Sequence, residues 1–291
     1  KMQAVGHDGN TPMLLGAAKN LAGNPDFAGT VNFIFQPAEE NEGGGRKMVE
    51  DGLFEKFPMD AVYGLHNWPG MPTGKMGVSH GANMASFDIF EIVVTGRGSH
   101  AAMPHEGVDT VVVASAIVSA LQTISSRNNH PADAVVVSVT QIHGGDTWNV
   151  IPEEVILRGT TRAFDPKVQD AIEPAMRRIA EGVCATHGAR MEMTYTRRYP
   201  PTVNVPEHAD ISIAAADKLI GSDNIIVDDK PSMGAEDFSF LLNERPGSYV
   251  WLGAGEETAN LHNPAYDFND EILPLGVAYW SGLVEETLGR S

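Results

Sequence analysis

Along the chain, apolar runs of strand length alternate with segments of helical spacing, and polar residues gather where each run ends. Phe33-Ile34-Phe35-Gln36-Pro37 reads as a buried strand that stops at a proline and delivers Glu39 and Glu40, with Gly43-Gly44-Gly45 following at once. Ala61-Val62-Tyr63-Gly64-Leu65-His66-Asn67-Trp68-Pro69 is a second such strand, again with a residue able to bind a metal, His66, toward its carboxyl end. Met13 to Leu21 and Arg46 to Glu50 have helical spacing, and Thr11 and Pro12 suit the N-cap and first turn of the first helix. Strands alternating with helices imply an α/β fold with a largely parallel sheet, in which sites gather at the carboxyl ends of the strands.

From Ser86 onward the texture changes. Phe87 to Gly96 alternates like a half-exposed strand, and Asp109 to Ile124 predicts a helix with an apolar stripe through Val112, Ala116, Val118 and Leu121. Strands at Ala134 to His143 and Glu154 to Phe164, a helix from Val168 to His187 and a strand from Arg190 to Tyr199 complete the order β-α-β-β-α-β. This is the split βαβ, or ferredoxin-like, sandwich. It reads as an insertion over 87–202, which leaves 1–86 and 203–291 as one discontinuous domain. The proline-rich stretch from Pro200 to Pro206 marks the return crossing.

Composition narrows the function. A length of 291 residues suggests two domains or one domain with a large insertion, and 42% apolar residues without a long apolar run describe a soluble globular protein with no membrane span. The net charge of -18 argues against nucleic acid as a partner. Cys184 stands alone, which excludes an intrachain disulfide and fits a reducing, cytoplasmic compartment. No signal peptide is visible, and the chain opens at Lys1-Met2-Gln3 inside a motif-like stretch, so an amino-terminal part is expected to precede it.

Neighbouring side chains on extended backbone point to opposite sides, so Glu39 and Glu40 share one centre only if the chain turns there. A division of labour follows, one carboxylate as metal ligand and the other as general base. His7, Glu40, His66 and His262 each stand at a loop or strand end. Imidazole with carboxylate suits zinc or manganese, and also cobalt or nickel, and the set lacks the thiolates of a structural zinc site. Glu236 and Asp237 either support the metal loop or cap the helix that starts beside them.

Seven motifs now stand in order: Gly6-His7-Asp8-Gly9, Gln36-Pro37-Ala38-Glu39-Glu40, Gly64-Leu65-His66-Asn67, Gly98-Ser99-His100-Ala101, Asn149-Val150-Ile151-Pro152, Gly234-Ala235-Glu236-Asp237-Phe238 and Leu261-His262-Asn263-Pro264. Together they resemble the M20 metallopeptidases, in the branch of amidohydrolases that cleave N-acyl amino acids, hippurate and plant-hormone amino-acid conjugates. The resemblance implies a zinc-peptidase-like mixed sheet flanked by helices, interrupted by a ferredoxin-like lid that dimerises. It implies Glu39 as general base and His7, Glu40, His66 and His262 as ligands of one or two divalent metal ions. It also implies that His100 reaches a partner subunit's site and steadies the oxyanion, and that Asn149 and Arg162 hold the substrate carboxylate.

The departures from that pattern fall in one loop. Where the branch reads His-Ala-Cys-Gly-His-Asp-x-His, this chain has Gln3-Ala4-Val5-Gly6-His7-Asp8-Gly9-Asn10, so the thiolate that would join two ions is absent. The expected function is metal-dependent hydrolysis of the amide bond of N-acyl amino acids or related small amides. Two alternatives stay open: a homologue that has lost activity and binds a small molecule or protein, and a hydrolase shifted to esters.

Overall fold

The computed structural model describes residues 5–40 and 43–289. Gln3 therefore lies outside the described residues. The chain forms two compact units, one of residues up to Asn83, Thr202–Pro231 and Asp237 onward, the other of Met84–Pro201 with Ser232–Glu236.

The first unit begins with helices α1 (His7–Gly23), α2 (Gly44–Glu50) and α3 (Leu53–Lys56), then strands β1 (Val62–Pro69), β2 (Met76–Val78) and β3 (Ala82–Met84). The second unit carries strands β4 (Phe87–Thr95) and β5 (Ser99–His100), helices α4 (Thr110–Leu121) and α5 (Thr123–Ser126), strands β6 (Val135–His143), β7 (Val150–Ile151) and β8 (Glu154–Ala163), helix α6 (Pro166–His187) and strand β9 (Arg190–Tyr199). The chain returns to the first unit through β10 (Thr202–Val203), α7 (Pro206–Ile220), β11 (Ile225–Val227), α8 (Ser239–Glu244), β12 (Gly247–Gly255) and α9 (Leu273–Leu288).

In the first unit the sheet order is β1-β12-β2-β11. β1 with β12 and β2 with β11 run parallel, and β12 with β2 antiparallel, so the sheet is mixed. β12 is buried on both faces over Gly247 to Ala254, as an inner strand covered on either side must be. Leu65, Val250, Leu252, Met76 and Val78 of the sheet pack with Met13 of α1, Ala215 and Ala216 of α7 and Tyr279 and Leu283 of α9.

The second unit is a four-stranded antiparallel sheet in the order β6-β8-β4-β9, the ferredoxin-like arrangement of a βαββαβ chain. β4 alternates as half-buried strands do, sending Phe90, Ile92 and Val94 into a core closed by Ile117 and Leu121 of α4 and Ile172 and Met176 of α6. Asp165 caps α6 by accepting from the Lys167 amide at 2.7 Å, Pro166 opens the helix, and Gly188 closes it in the left-handed conformation. Among the described residues no helix is long and apolar enough to cross a membrane.

Four local expectations are corrected. Phe33 to Phe35 is not a buried strand: no strand pairs with it among the described residues, and Phe35 is 45% exposed. An extended run becomes a strand only through a neighbour's ladder, which the residues themselves do not encode. The first helix starts at His7 rather than at Thr11, with Pro12 inside it. The proline's missing donor costs only the bond to the Asp8 carbonyl, while the Thr11 hydroxyl donates back to the His7 carbonyl at 3.0 Å. α4 buries Val113, Ala114, Ile117 and Leu121, and Val112 is 52% exposed, because an almost uniformly apolar helix has no polar face to fix its phase. Finally, the strand expected to Pro69 does end there, but His66 lies inside it, paired with Trp251, rather than at its end.

Two outcomes follow. Ile117→Ala should cost about 2–5 kcal/mol in urea unfolding, as a buried truncation does, and Val112→Ala about 0.5 kcal/mol or less. His80 is held between Asp228, at 2.9 Å, and Asp210, at 3.0 Å, and these hydrogen bonds raise its pKa. A raised folded pKa stabilises below the unfolded value of about 6.5 and ceases to do so as pH rises through the folded one. His80→Gln should therefore lower the melting temperature at pH 6 and leave it unchanged at pH 9.

Candidate metal centre

The centre is built in the first unit from four stretches of chain. Gly6 precedes α1 at φ 81°, and a Cβ there would lie 2.5 Å from the Asn67 side-chain oxygen and 2.6 Å from the Tyr266 hydroxyl. Only glycine fits both the backbone and the space, and it fixes where His7 begins the helix. Ala38 at φ 51° breaks the extended run, and the chain turns at Glu39 and Glu40 before Gly43, at φ 63°, starts α2. Both carboxylates are thereby turned toward His7. Its Nε2 is 3.8 Å from Glu39 Oε2, and its Nδ1 is 3.8 Å from Glu40 Oε1.

His66 is buried on β1, its ring edge-on to that of His7 with centroids 5.2 Å apart. Its Nδ1 meets the Asn67 carbonyl at 2.7 Å. A carbonyl only accepts, so Nδ1 carries the proton and Nε2 keeps its lone pair, the tautomer that a ligating imidazole needs. His262 is exposed, held at φ 64°, and places Nε2 3.7 Å from Glu40 Oε2.

These nitrogen–oxygen separations are too long for hydrogen bonds. They lie near the edge of about 3.4 Å that two donors make around a tetrahedral ion with bonds of about 2.1 Å. Burial, reinforced by the adjacent His66 and opposed by Glu40, lowers the His7 pKa to about 4. Burial also lowers that of His66. Both rings are therefore neutral, with lone pairs available near pH 7. The donor set fits a divalent cation.

The altered loop has a structural reading. Val5 is buried, and the Asn10 side-chain oxygen accepts from the Asn67 amide at 3.3 Å, so Asn10 braces the strand rather than turning to an ion. Asn67 in turn donates to Tyr266 at 2.6 Å. Asn67 and Tyr266 support the centre although the sequence reading passed over them. The signal was their place, Asn67 in the His66 motif and Tyr266 four residues after His262.

Asp237 is fully buried, and its carboxylate accepts from Gln36 Nε2 and from the Gly45 amide, both at 2.6 Å. Of the two roles open to it, its side chain takes the one at the metal loop.

The remaining site residues belong to the second unit. His100 pairs with Val150 on the short ribbon of β5 and β7, its Nδ1 accepting from the Ala102 amide at 3.1 Å. Asn149 is on the same ribbon, its carbonyl accepting from the Ala101 amide at 2.9 Å, and beside it Trp148 is fully exposed. Arg162 is elsewhere. Thr95 pairs with Glu154 and Asp88 with Thr161, so Arg162 lies at the far end of β8 from this ribbon. Seven residues of strand separate the two ends by about 23 Å. Within one chain, Arg162 and the ribbon that carries Asn149 therefore lie at opposite ends of β8. The Arg162 guanidinium stacks on Phe87 with 4.3 Å to the ring centre and donates to Thr160 and to the Thr161 carbonyl.

Comparison with known proteins gives this geometry a context. The model of Peptidase family M20/M25/M40 matches residues 1–286. The N-acetylcysteine deacetylase of Bacillus subtilis (strain 168) is 38% identical over 283 residues, covering 97% of this chain and 73% of that protein. The hippurate hydrolase of Campylobacter jejuni is 38% identical over 282 residues, with the same coverage of both. A solved Bacillus subtilis structure, a dinuclear metal binding peptidase from the M20 family, has a TM-score of 0.85 and 34% identity, covering all of this chain and 74% of that one. With relatives alike across 97% of its length and a family match from residue 1 to 286, the chain belongs to Peptidase family M20/M25/M40.

Proposed function

We propose that this protein is a metal-dependent amidohydrolase that cleaves the amide bond of N-acyl amino acids. The observation that carries this is the gathering of His7, Glu39 and Glu40 with ligand atoms within 4.8 Å of one another, His66 lying edge-on to His7 and His262 beside Glu40. The similarity to an N-acetylcysteine deacetylase, a hippurate hydrolase and an IAA-amino acid hydrolase supports the substrate class.

His7, Glu40, His66 and His262 would hold the ion, zinc or manganese suiting the set best, with cobalt and nickel also compatible. When bound, a divalent ion supplies Lewis-acid polarisation and lowers the pKa of water. Glu39 takes the proton from the attacking water and passes it to the departing amine. His100, from the lid of a second copy, stabilises the developing oxyanion, and Asn149 and Arg162 hold the substrate carboxylate. With Val5 where the family pattern has cysteine, one tightly held ion, or two weakly held ones, is the expected complement. The lone, buried Cys184 fits a cytoplasmic setting.

The homodimer through the second unit has support of its own. α4 carries no charged side chain and exposes Val111 and Val112, and β6 is an edge of its sheet. Sedimentation should give twice the chain mass, and a monomer would remove the role of His100.

The deciding experiment measures metal per chain in protein purified without added metal, alongside turnover of N-acetylcysteine, hippurate and other N-acyl amino acids. Stoichiometric metal with turnover abolished by chelation and restored by zinc or manganese is expected. Absence of both, even after metal addition, would favour the binding homologue that buried Val5 suggests. Ester turnover persisting in chelator would favour the shifted hydrolase. Glu39→Gln should retain metal and lower kcat about 10²- to 10⁴-fold, whereas His66→Ala should lose metal and activity together.

A further inference from the structure

The loop that presents Glu39 and Glu40 is strained and tightly folded. Ala38 has φ 51°, a left-handed conformation that is unfavourable for a non-glycine residue. The two ends of the loop return to within contact: a Cβ on Gly44 would lie 1.6 Å from the Pro37 carbonyl oxygen. The holding group comes from far along the chain.

Asp237 Oδ1 accepts from the Gln36 amide on the entering side of the loop, and Oδ2 accepts from the Gly45 amide on the leaving side. Both bonds are 2.6 Å and both belong to a carboxylate fully shielded from solvent. Hydrogen bonds to an ionised acceptor are the strong ones, and burial keeps water from competing for it. A carboxylate oxygen of Asp237 also lies within 4.8 Å of one of Glu39. Space is made for the clamp by Gly45, where a Cβ would lie 2.8 Å from both the Asp237 carbonyl oxygen and Gln36 Nε2.

We infer that Asp237 is a positioning residue that clamps the two ends of the Glu39–Glu40 loop, fixing the general base and the metal-binding carboxylate in register with His7. The inference rests on the roles proposed above for Glu39 and Glu40. It adds a residue whose carboxylate bonds the Gln36 side chain and the Gly45 backbone, at the loop's two ends.

Three variants in the full-length protein test it. Asp237→Ala removes both arms. Asp237→Asn keeps an oxygen for the Gly45 amide and offers an amide that a flipped Gln36 can accept, so it preserves the bonds and removes only the charge. Gln36→Ala removes one arm and leaves Asp237 in place. The readouts are zinc affinity by chelator competition, and kcat and KM on the N-acyl amino acid panel. Loss of outer support costs about 10- to 100-fold in metal affinity or rate, and Asp237→Ala is expected to lose that much in both zinc affinity and kcat, with KM within about twofold. Gln36→Ala should fall between it and the unaltered protein, and Asp237→Asn should recover to within about threefold.

Wild-type zinc affinity and kcat in Asp237→Ala would overturn the clamp. So would equal losses in Asp237→Ala and Asp237→Asn, since charge rather than bonding would then be the cause. If Asp237→Ala does not fold, Gln36→Ala decides: lowered kcat at unchanged KM sustains the clamp, and wild-type values end it. Glu39→Gln separates the two levels. Full turnover in that variant would overturn the catalytic reading and the clamp with it, whereas an inactive Glu39→Gln beside fully active Asp237→Ala and Gln36→Ala would overturn the clamp alone.

Discussion

Two carboxylates adjacent in sequence can serve one centre only where the backbone between them leaves the extended state. The first unit is organised around that constraint. Ala38 and Gly43 take left-handed conformations on either side of the pair, and Gly44 lies against the Pro37 carbonyl where no side chain would fit. Each feature is unfavourable or restrictive alone. They are accompanied by bonds from far along the chain, Asp237 accepting from both Gln36 and Gly45.

The imidazoles meet a second demand, to be buried yet basic enough to bind a cation. His66 meets it through β1: its neighbour's carbonyl takes the Nδ1 proton and leaves Nε2 bare. His7 meets it at a helix start, where desolvation keeps the ring neutral. His262 is the exception, exposed on a left-handed turn. Of the three rings proposed to hold the ion, His66 and His7 are thus the more sheltered and His262 the open one.

Much of this was legible in the sequence, and the remainder had physical reasons to be hidden. The second unit follows its pattern closely, since β4 alternates cleanly and α6 carries both its start and stop signals. α4 does not, because twelve nearly uniform apolar positions leave the choice of buried face to packing partners. Phe33 to Phe35 has strand composition, but strand pairing is a property of two segments and one segment cannot declare it. The motif residues His7, Glu39, Glu40 and His66 were readable as chemistry, whereas the contacts of Asn10, Asn67 and Asp237 were not. Asp237 lies 192 residues from Gly45 and 201 from Gln36, separations at which only the fold supplies the contact. The separation of Asn149 from Arg162 was equally invisible, since it depends on β8 running straight between them.

The ribbon of β5 and β7 carries Trp148 at its tip, wholly in solvent beside Asn149. Of the chain's four tryptophans, Trp68 and Trp251 stack on each other within the first unit with centroids 4.2 Å apart, and Trp280 is partly covered on α9. Indole emission shifts to the red in water and to the blue when the ring is enclosed. The protein therefore carries its own optical gauge at the ribbon tip: the reddest part of its fluorescence belongs to Trp148, and whatever covers that tip, substrate or second copy, announces itself as a change in colour.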